Sequence, residues 1–233
     1  MKTAHFQSFI DDSEPDAGPA RLTALRKAIS GAQLNGFLVP RSDVHQGEYV
    51  AKRDERLAWL TGFTGSAGFC AVLPDVAGVF VDGRYRVQVK VQTNATFTPV
   101  DWPETSLPTW LQKNLQTGTI GFDPWLHSWG EIKAHRTALG ENGIQLRPNA
   151  NLIDQIWTDR PDPPNAQAYA YPDDYAGETH SDKRKRLAEM LRDNAQDTAI
   201  LTLPDSIVWL LNMRGSDVTH VPLVHSFAFL HAD

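Results

Sequence analysis

Hydrophobic positions in the first 160 residues switch between helical and strand-like spacing. Apolar side chains in residues 21–30 recur three and four positions apart, which predicts an amphipathic helix, and Phe37 to Pro40 is a short apolar run that predicts a buried strand. Further strands are predicted at residues 69–73, 78–81, 96–100 and 119–122, and further helices at residues 85–92, 107–115, 128–139 and 151–157. Helices and strands intermixed in this way predict an α/β fold in which helices cover a sheet.

Near residue 160 the pattern changes and then starts again. A proline-rich stretch of low apolar content predicts a linker over residues 161–178. A second amphipathic helix at residues 181–193 and an apolar run at residues 199–204 follow it. The segment from Ile207 to Ser216 then matches Leu57 to Ser66 at an offset of 150, sharing Trp, Leu, Gly and Ser in register.

This ordered correspondence predicts a duplicated domain, with chance similarity as the alternative. The predicted organisation is a first domain over residues 1–160, the linker over 161–178 and an incomplete second copy over 179–233. Because the second copy is much shorter than the first, either it is stable as a small lobe or the chain is a piece of a longer one.

Composition narrows the class of protein. The net charge of −6 leaves no overall basic surface for nucleic acid, and the hydrophobic runs are far shorter than the roughly 20 residues of a membrane-spanning helix. Residues 1–11 lack the apolar core of a signal peptide, so a cytoplasmic protein without membrane or nucleic-acid partners is expected. Cys70 lies within an apolar run and is predicted to be a small buried side chain.

Two stretches, one rich in glycine and one polar, are candidate sites. Gly62 to Gly68 fits neither a phosphate-binding loop nor a nucleophile elbow, so a tight turn is predicted, with Ser66 as a nucleophile the weaker alternative. Asp43 to Tyr49 follows a predicted strand, where loops of α/β proteins carry functional groups. His45 and Glu48 supply only two metal ligands, so a hydrogen-bonded loop network or a surface for another domain or subunit competes with metal binding.

Five motifs carry a resemblance to a known family. They are D-x-H-Q-x-E-Y at Asp43 to Tyr49, G-F-x-G-S-A-G at Gly62 to Gly68, D-G-R-Y at Asp82 to Tyr85, I-W-T-D-R-P at Ile156 to Pro161 and N-x-R-G-S-D-V at Asn212 to Val218. In this order the chain resembles the N-terminal region of the three-domain aminopeptidases P (Xaa-Pro aminopeptidases) of the creatinase and prolidase superfamily. The resemblance implies a creatinase N-terminal-like domain, a mixed sheet covered by helices, followed by the first part of a duplicated copy.

The resemblance also implies what the chain lacks. In the family a C-terminal domain binds two divalent metal ions, usually manganese, and removes an N-terminal residue that precedes proline. None of its metal ligands corresponds to a residue of this sequence, so no catalytic or metal-binding residue and no cofactor is assigned to this chain. Val221 to Val224 also replaces the Asn-Pro-Val-Phe that relatives carry after the last motif, so contacts of that Asn are not expected here.

The implied partners are the chain's own C-terminal catalytic domain, a second subunit in a homodimer, and proline-containing peptides as substrate of the full protein. Candidates for the face that limits access to the active site are His45, Glu48, Tyr49, Arg53, Arg56, Arg84 and Tyr85 in the first domain, with Asn212, Arg214 and Asp217 in the second.

Three functions stay open on this basis. The first is an inactive N-terminal piece of an Xaa-Pro aminopeptidase, the second is a stand-alone partner-binding or regulatory module of the same fold, and the third is an enzyme with its own site around His45 and Glu48.

Overall fold

A computed structural model describes residues 12–233, which form two compact units. The first unit comprises the described residues up to Arg41 together with Arg56–Asp123 and Trp129–Thr158. The second comprises Ser42–Glu55, Pro124–Ser128 and Asp159–Asp233. The residues in which no signal peptide is predicted, 1–11, lie outside the described chain.

The first unit is built from alternating helices and strands. Its helices are α1 (Gly18–Gly31), α2 (Arg56–Thr61), α3 (Gln88–Gln92), α4 (Leu107–Asn114), α5 (Trp129–Leu139) and α6 (Leu152–Ile156). Its strands are β1 (Gly36–Pro40), β2 (Phe69–Val72), β3 (Ala77–Val81), β4 (Thr98–Asp101), β5 (Gly118–Phe122) and β6 (Ile144–Pro148).

Within the described chain these strands form one mixed sheet in the order β4-β3-β2-β1-β5-β6. The hairpin β2–β3 and the pair β1–β2 are antiparallel, with Val39 opposite Cys70. The pairs β3–β4, β1–β5 and β5–β6 are parallel, and helices connect β3 to β4 and β5 to β6. This is the mixed sheet that the resemblance implies.

Both faces of the sheet are covered. Alternate residues of β1 point to opposite faces, so Phe37 and Val39 belong to one buried cluster and Leu38 to the other. The first cluster includes apolar residues of α1, α2 and α6, and the second includes those of α4 and α5. Cys70 is completely buried, as predicted, and burial raises the pKa of its thiol.

The second unit contains α7 (Asp173–Ala176), α8 (His180–Asp193) and α9 (Pro204–Leu210), with strands β7 (Tyr169–Ala170), β8 (Thr198–Leu201), β9 (Met213–Arg214) and β10 (Ala228–His231). β8 pairs antiparallel with β10, and β7 pairs antiparallel with β9. Apart from the two-residue strand β9, the succession α8, β8, α9, β10 matches α1, β1, α2, β2, and the first and last strands pair antiparallel in both. This agrees with the predicted duplication, whereas the domain boundaries stay a prediction.

The elements differ from the sequence prediction at a few places. The helix predicted from Tyr85 begins only at Gln88, because Asp82 first forms a turn in which its carboxylate accepts the Arg84 N–H. The strand β6 was not predicted, since only Ile144 and Leu146 mark its buried face. β7 and α7 lie inside the segment predicted as a linker. In the part of the chain that the structure describes, no helix is long and apolar enough to span a membrane.

Candidate functional site

The loop after β1, in the second unit, contains a hydrogen-bonded network, which is one of the alternatives that the sequence leaves open for it. Oδ1 of Asp43 accepts the backbone N–H groups of His45 at 2.9 Å and of Gly47 at 3.1 Å. Asp43 is 2% exposed and His45 is 7% exposed. The carboxylate therefore fixes the backbone of the loop and, with it, the direction of the His45 side chain.

His45 lies in a stack of aromatic rings. Its ring centroid is 4.9 Å from that of His225 and 4.5 Å from that of Phe227. The Trp125 ring lies 6.4 Å from the Phe227 ring, at an angle of 55°. We refer to these four residues as the aromatic stack.

One end of the aromatic stack is buried and polar. Nε2 of His225 lies 3.7 Å from the buried Oδ2 of Asp43, and the His225 N–H donates to Asp217 at 2.8 Å. The ring nitrogen Nδ1 of His45 lies 3.1 Å from the carbonyl oxygen of Thr202. These contacts join the loop, the end of β8 and the segment before β10 within the second unit.

The other end of the aromatic stack is open to solvent. Phe227 is 45% exposed and Trp125 is 65% exposed. Tyr49, on the same loop as His45, is half exposed, and Glu48 beside it is exposed. Exposed aromatic side chains beside a rigid buried base are typical of contact surfaces.

His225, Phe227 and Trp125 were not predicted as site residues. His220 and His225 are five positions apart, a spacing that matches no helical ligand pair, so the sequence alone predicts that both are structural or incidental. His225 instead meets a histidine 180 positions earlier in the chain. Only the D-x-H motif at Asp43 marks this place in the sequence, and it does not name the partner.

Asn212 is the centre of a second network in the same unit. The buried ammonium of Lys183 donates to Oδ1 of Asn212 at 2.7 Å and to the carbonyl of Trp209 at 2.8 Å. The Asn212 amide donates in turn to Asp173 at 2.7 Å and to the carbonyl of Glu178. Because these groups satisfy one another, Asn212, which is 4% exposed, holds α7, α8 and the end of α9 together.

The other candidates of the second unit make local contacts. Arg214 lies over the Tyr171 ring at 4.1 Å, and Asp217 accepts the Ala166 N–H as well as that of His225. Arg53 donates to the carbonyl of Pro161 at 3.3 Å. Asp217 is therefore linked to His45 through His225.

The candidates of the first unit form two separate groups. Arg56 is 4% exposed and makes a two-pronged ion pair with Asp154, with N–O distances of 2.7 Å and 3.1 Å. Arg84 is exposed, pairs with Asp82 and lies over the Tyr85 ring at 5.0 Å. The hydrogen bond from Arg84 lowers the pKa of the Asp82 carboxyl.

Tyr85 makes a short hydrogen bond to Ser66, with 2.6 Å between the two hydroxyl oxygens. This bond lowers the pKa of the Tyr85 phenol. Gly62 and Gly68 have positive φ angles of 86° and 147°, so the loop that carries Ser66 is the predicted tight turn.

The side chains of the described chain do not fit a metal site. Among residues 12–233 no group of three or more His, Cys, Asp or Glu side chains is placed to hold an ion. The rings of His45 and His225 are tilted by 37° with their centroids 4.9 Å apart, and Nδ1 of His45 is directed to the carbonyl of Thr202.

The fold and these motifs define the class of protein. The family model for the creatinase/prolidase N-terminal domain matches residues 21–156, and a second model of the same description matches residues 159–233. The chain belongs to the creatinase/prolidase N-terminal domain family.

The individual relatives to which the chain is similar are aminopeptidases. The chain is 32% identical over 222 residues to aminopeptidase P2 of Arabidopsis thaliana, covering 91% of this chain and 31% of that protein. It is 34% identical to Xaa-Pro aminopeptidase 2 of Sus scrofa, covering 91% of this chain and 32% of that one. The chain spans about a third of the length of these relatives.

The chain is also similar to a solved structure of an X-prolyl aminopeptidase. The X-prolyl aminopeptidase of Caenorhabditis elegans, described as a cytosolic enzyme with a di-nuclear active site, superposes with a TM-score of 0.85. Identity is 30%, and the match covers 92% of this chain and 37% of the nematode chain. The chain is thus similar to the N-terminal part of Xaa-Pro aminopeptidases.

Proposed function

We propose that this chain is the non-catalytic N-terminal portion of a metal-dependent Xaa-Pro aminopeptidase, a hydrolase that removes an N-terminal residue preceding proline. The observation that carries the proposal is the match of nine-tenths of the chain to a third of the length of Xaa-Pro aminopeptidases. In the proposal two divalent metal ions, manganese by the family resemblance, bind in the part of the protein that follows. The di-nuclear active site described for the nematode relative supports two ions.

The proposed role of the chain is to shape access to the active site and to contribute to dimer contacts. The exposed candidates Glu48 and Tyr49 of the second unit and Arg84 of the first suit, each in its own unit, a surface that meets another domain or a substrate. Arg56 and Asn212 are engaged inside their own units, so in the proposal they support this surface instead of touching a partner. A cytoplasmic location is also part of the proposal, supported by the cytosolic description of the nematode relative.

Hydrolysis of an Xaa-Pro-Xaa peptide with added manganese tests the proposal. Three proteins are compared: the 233-residue chain, the product of its complete reading frame, and that product without residues 1–233. We expect only the complete product to cleave efficiently and to distinguish short from long peptides. Cleavage by the 233-residue chain at a comparable rate would show that an active site lies within it.

The same comparison separates the other two functions. A reading frame that stops after Asp233, with no hydrolysis by its product, favours a stand-alone partner-binding or regulatory module. Activity of the short chain that is lost in His45→Ala favours an enzyme with its own site around His45 and Glu48. Light scattering of the complete product tests the dimer.

A further inference from the structure

Backbone groups of β10 point away from its partner strand. Among residues 12–233, β8 is the only strand that pairs with β10. The N–H of Ala232 donates to the carbonyl of Asp197 at 2.9 Å, and alternate residues of an antiparallel strand face its partner. Leu230 therefore faces β8, whereas Phe229 and His231 direct their N–H and C=O groups to the outer edge of β10.

One face of this two-stranded sheet is apolar and exposed. Phe229 lies opposite Ile200, and the two residues are 64% and 65% exposed. Residues directly opposite each other in a pair of strands lie on the same face. In the first unit, apolar clusters cover both faces of the corresponding strands β1 and β2. The outer edge of β10 is thus bordered by exposed apolar side chains.

The outer edge of β10 lacks the features that normally prevent strand edges from pairing with another chain. Such edges usually carry charged side chains or prolines. The outermost strands of the first unit do so, with Pro99 and Asp101 in β4 and with Arg147 and Pro148 in β6. Residues 226–232 contain no proline and no Asp, Glu, Lys or Arg. Nothing in the side chains of this segment opposes the addition of a further strand.

The first unit shows which kind of partner each edge takes. Its strands β1 and β2 correspond to β8 and β10. On its other edge β1 pairs parallel with β5, whereas β2 pairs antiparallel with β3. The outer edge of β10 is therefore suited to an antiparallel strand. Two copies of one strand that pair around a two-fold axis are antiparallel, so β10 fits a second copy of itself.

We infer that β10 pairs antiparallel with β10 of a second copy of this chain, which joins two two-stranded sheets into one of four strands. Since only outward-facing residues can exchange hydrogen bonds, the two-fold axis lies at Phe229. The N–H of each Phe229 donates to the C=O of Phe229 of the other copy. The two rings then lie side by side on one face, each next to its own Ile200, and form a cross-strand aromatic pair.

Sedimentation equilibrium of the 233-residue chain measures this association. Over a concentration series from micromolar to millimolar, we expect the average mass to rise from that of one chain toward that of two. Phe229→Pro removes the outward N–H, and a two-fold contact loses this donor twice. We expect this variant to dimerise about tenfold to a hundredfold more weakly.

Ile200→Pro is the matched control. Ile200 is exposed to the same extent as Phe229, and its N–H points to the outer edge of β8. A proline at an outward-facing position leaves the hydrogen bonds between β8 and β10 intact, so Ile200→Pro should dimerise like the wild type. Phe229→Val loses the ring and keeps the N–H, and it should dimerise more tightly than Phe229→Pro.

Amide hydrogen exchange provides a measurement that unfolding does not imitate. As the concentration rises, exchange at Phe229 and His231 should slow, whereas exchange at Ile200 should stay the same. Three results would overturn the inference: a chain that stays monomeric at millimolar concentration, equal weakening by Ile200→Pro, or exchange at Phe229 that does not depend on concentration.

The inference goes beyond the proposed function and does not depend on it. Hydrolysis by the product of the complete reading frame tests the proposed function, whereas strand pairing is measured on the 233-residue chain alone. Each of the two can fail without the other.

Discussion

Two arginine–carboxylate pairs of the first unit show how the surroundings of a residue decide its role. Arg56 and Asp154 have side chains that are 5% and 29% exposed, whereas those of Arg84 and Asp82 are 63% and 20% exposed. The family resemblance implies that both arginines lie on the face that limits access to the active site. In the structure the first joins α2 to α6, and the second lies at the surface beside Tyr85.

Neutralising the buried pair should destabilise the protein. Asp154→Asn removes the negative charge that Asp154 presents to the Arg56 guanidinium, which is 4% exposed, and we expect the free energy of unfolding to fall by about 2 kcal/mol. Urea unfolding at neutral pH measures the change. Asp82→Asn is the matched control, and it should cost less than about 1 kcal/mol because its partner is solvated. Equal costs would contradict this assignment of the two pairs.

The surface pair should show its contribution in the pH dependence of stability. Arg84 holds the pKa of Asp82 below its usual value of 3.8, so the folded state stabilises the carboxylate. Its contribution is complete above that value and is lost as the pH falls through the lower folded pKa. The difference in unfolding free energy between the wild type and Asp82→Asn should therefore vanish in acid. A difference that grows as the pH falls would reverse the sign of the proposed effect.

At the scale of elements, two glycines differ in their backbone conformation and in the space around them. Gly62 ends the α2 segment with φ +86°, and a Cβ there would lie 2.4 Å from the carbonyl oxygen of Gln92. Gly130 lies within α5, and a Cβ there would meet nothing within 4 Å. The backbone therefore requires glycine at Gly62, whereas another residue can replace Gly130.

Replacing each glycine by alanine should change stability in opposite directions. Gly62→Ala combines backbone strain with a steric clash, and we expect it to lower the melting temperature by several degrees. Gly130→Ala should raise the free energy of unfolding by about 0.5–1 kcal/mol, because glycine is the poorer helix former. Thermal unfolding followed by circular dichroism measures both. A neutral Gly62→Ala would show that the turn adjusts without cost.

At the scale of the whole molecule, the second compact unit is not one continuous stretch of sequence. It combines Asp159–Asp233 with Ser42–Glu55 and Pro124–Ser128. His45 comes from the first of these inserted segments and Trp125 from the other, and Phe227 contacts both. A second domain cut out at the boundaries read from the sequence therefore lacks part of its own packing.

A fragment of residues 159–233 tests this consequence. Without Asp43 and His45, the segment around His225 and Phe227 loses its ring and ion-pair contacts, and we expect faster amide hydrogen exchange there than in the whole chain. Exchange at α8 serves as the internal control, because Lys183 keeps its partners Trp209 and Asn212 within the fragment. Unchanged protection at residues 225–227 would show that the inserted segments are dispensable.

The sequence by itself determined the fold class, most of the helices and strands, the tight turn at Gly62 to Gly68, the burial of Cys70 and the family. These properties depend on local periodicity, on backbone preferences and on motifs that are contiguous in the chain. The strand β6 was missed because its signal is only two apolar positions long.

Tertiary structure alone decided which polar residues meet. The contact of His45 with His225 joins residues 180 positions apart, and the buried Lys183 looks like an exposed charge on an amphipathic helix until Trp209 and Asn212 surround it. Such pairings depend on the packing of distant segments, and no spacing along the chain encodes them. The motifs showed which segments carry polar side chains. The packing of distant segments determined which of these side chains are buried, which are paired and which are exposed.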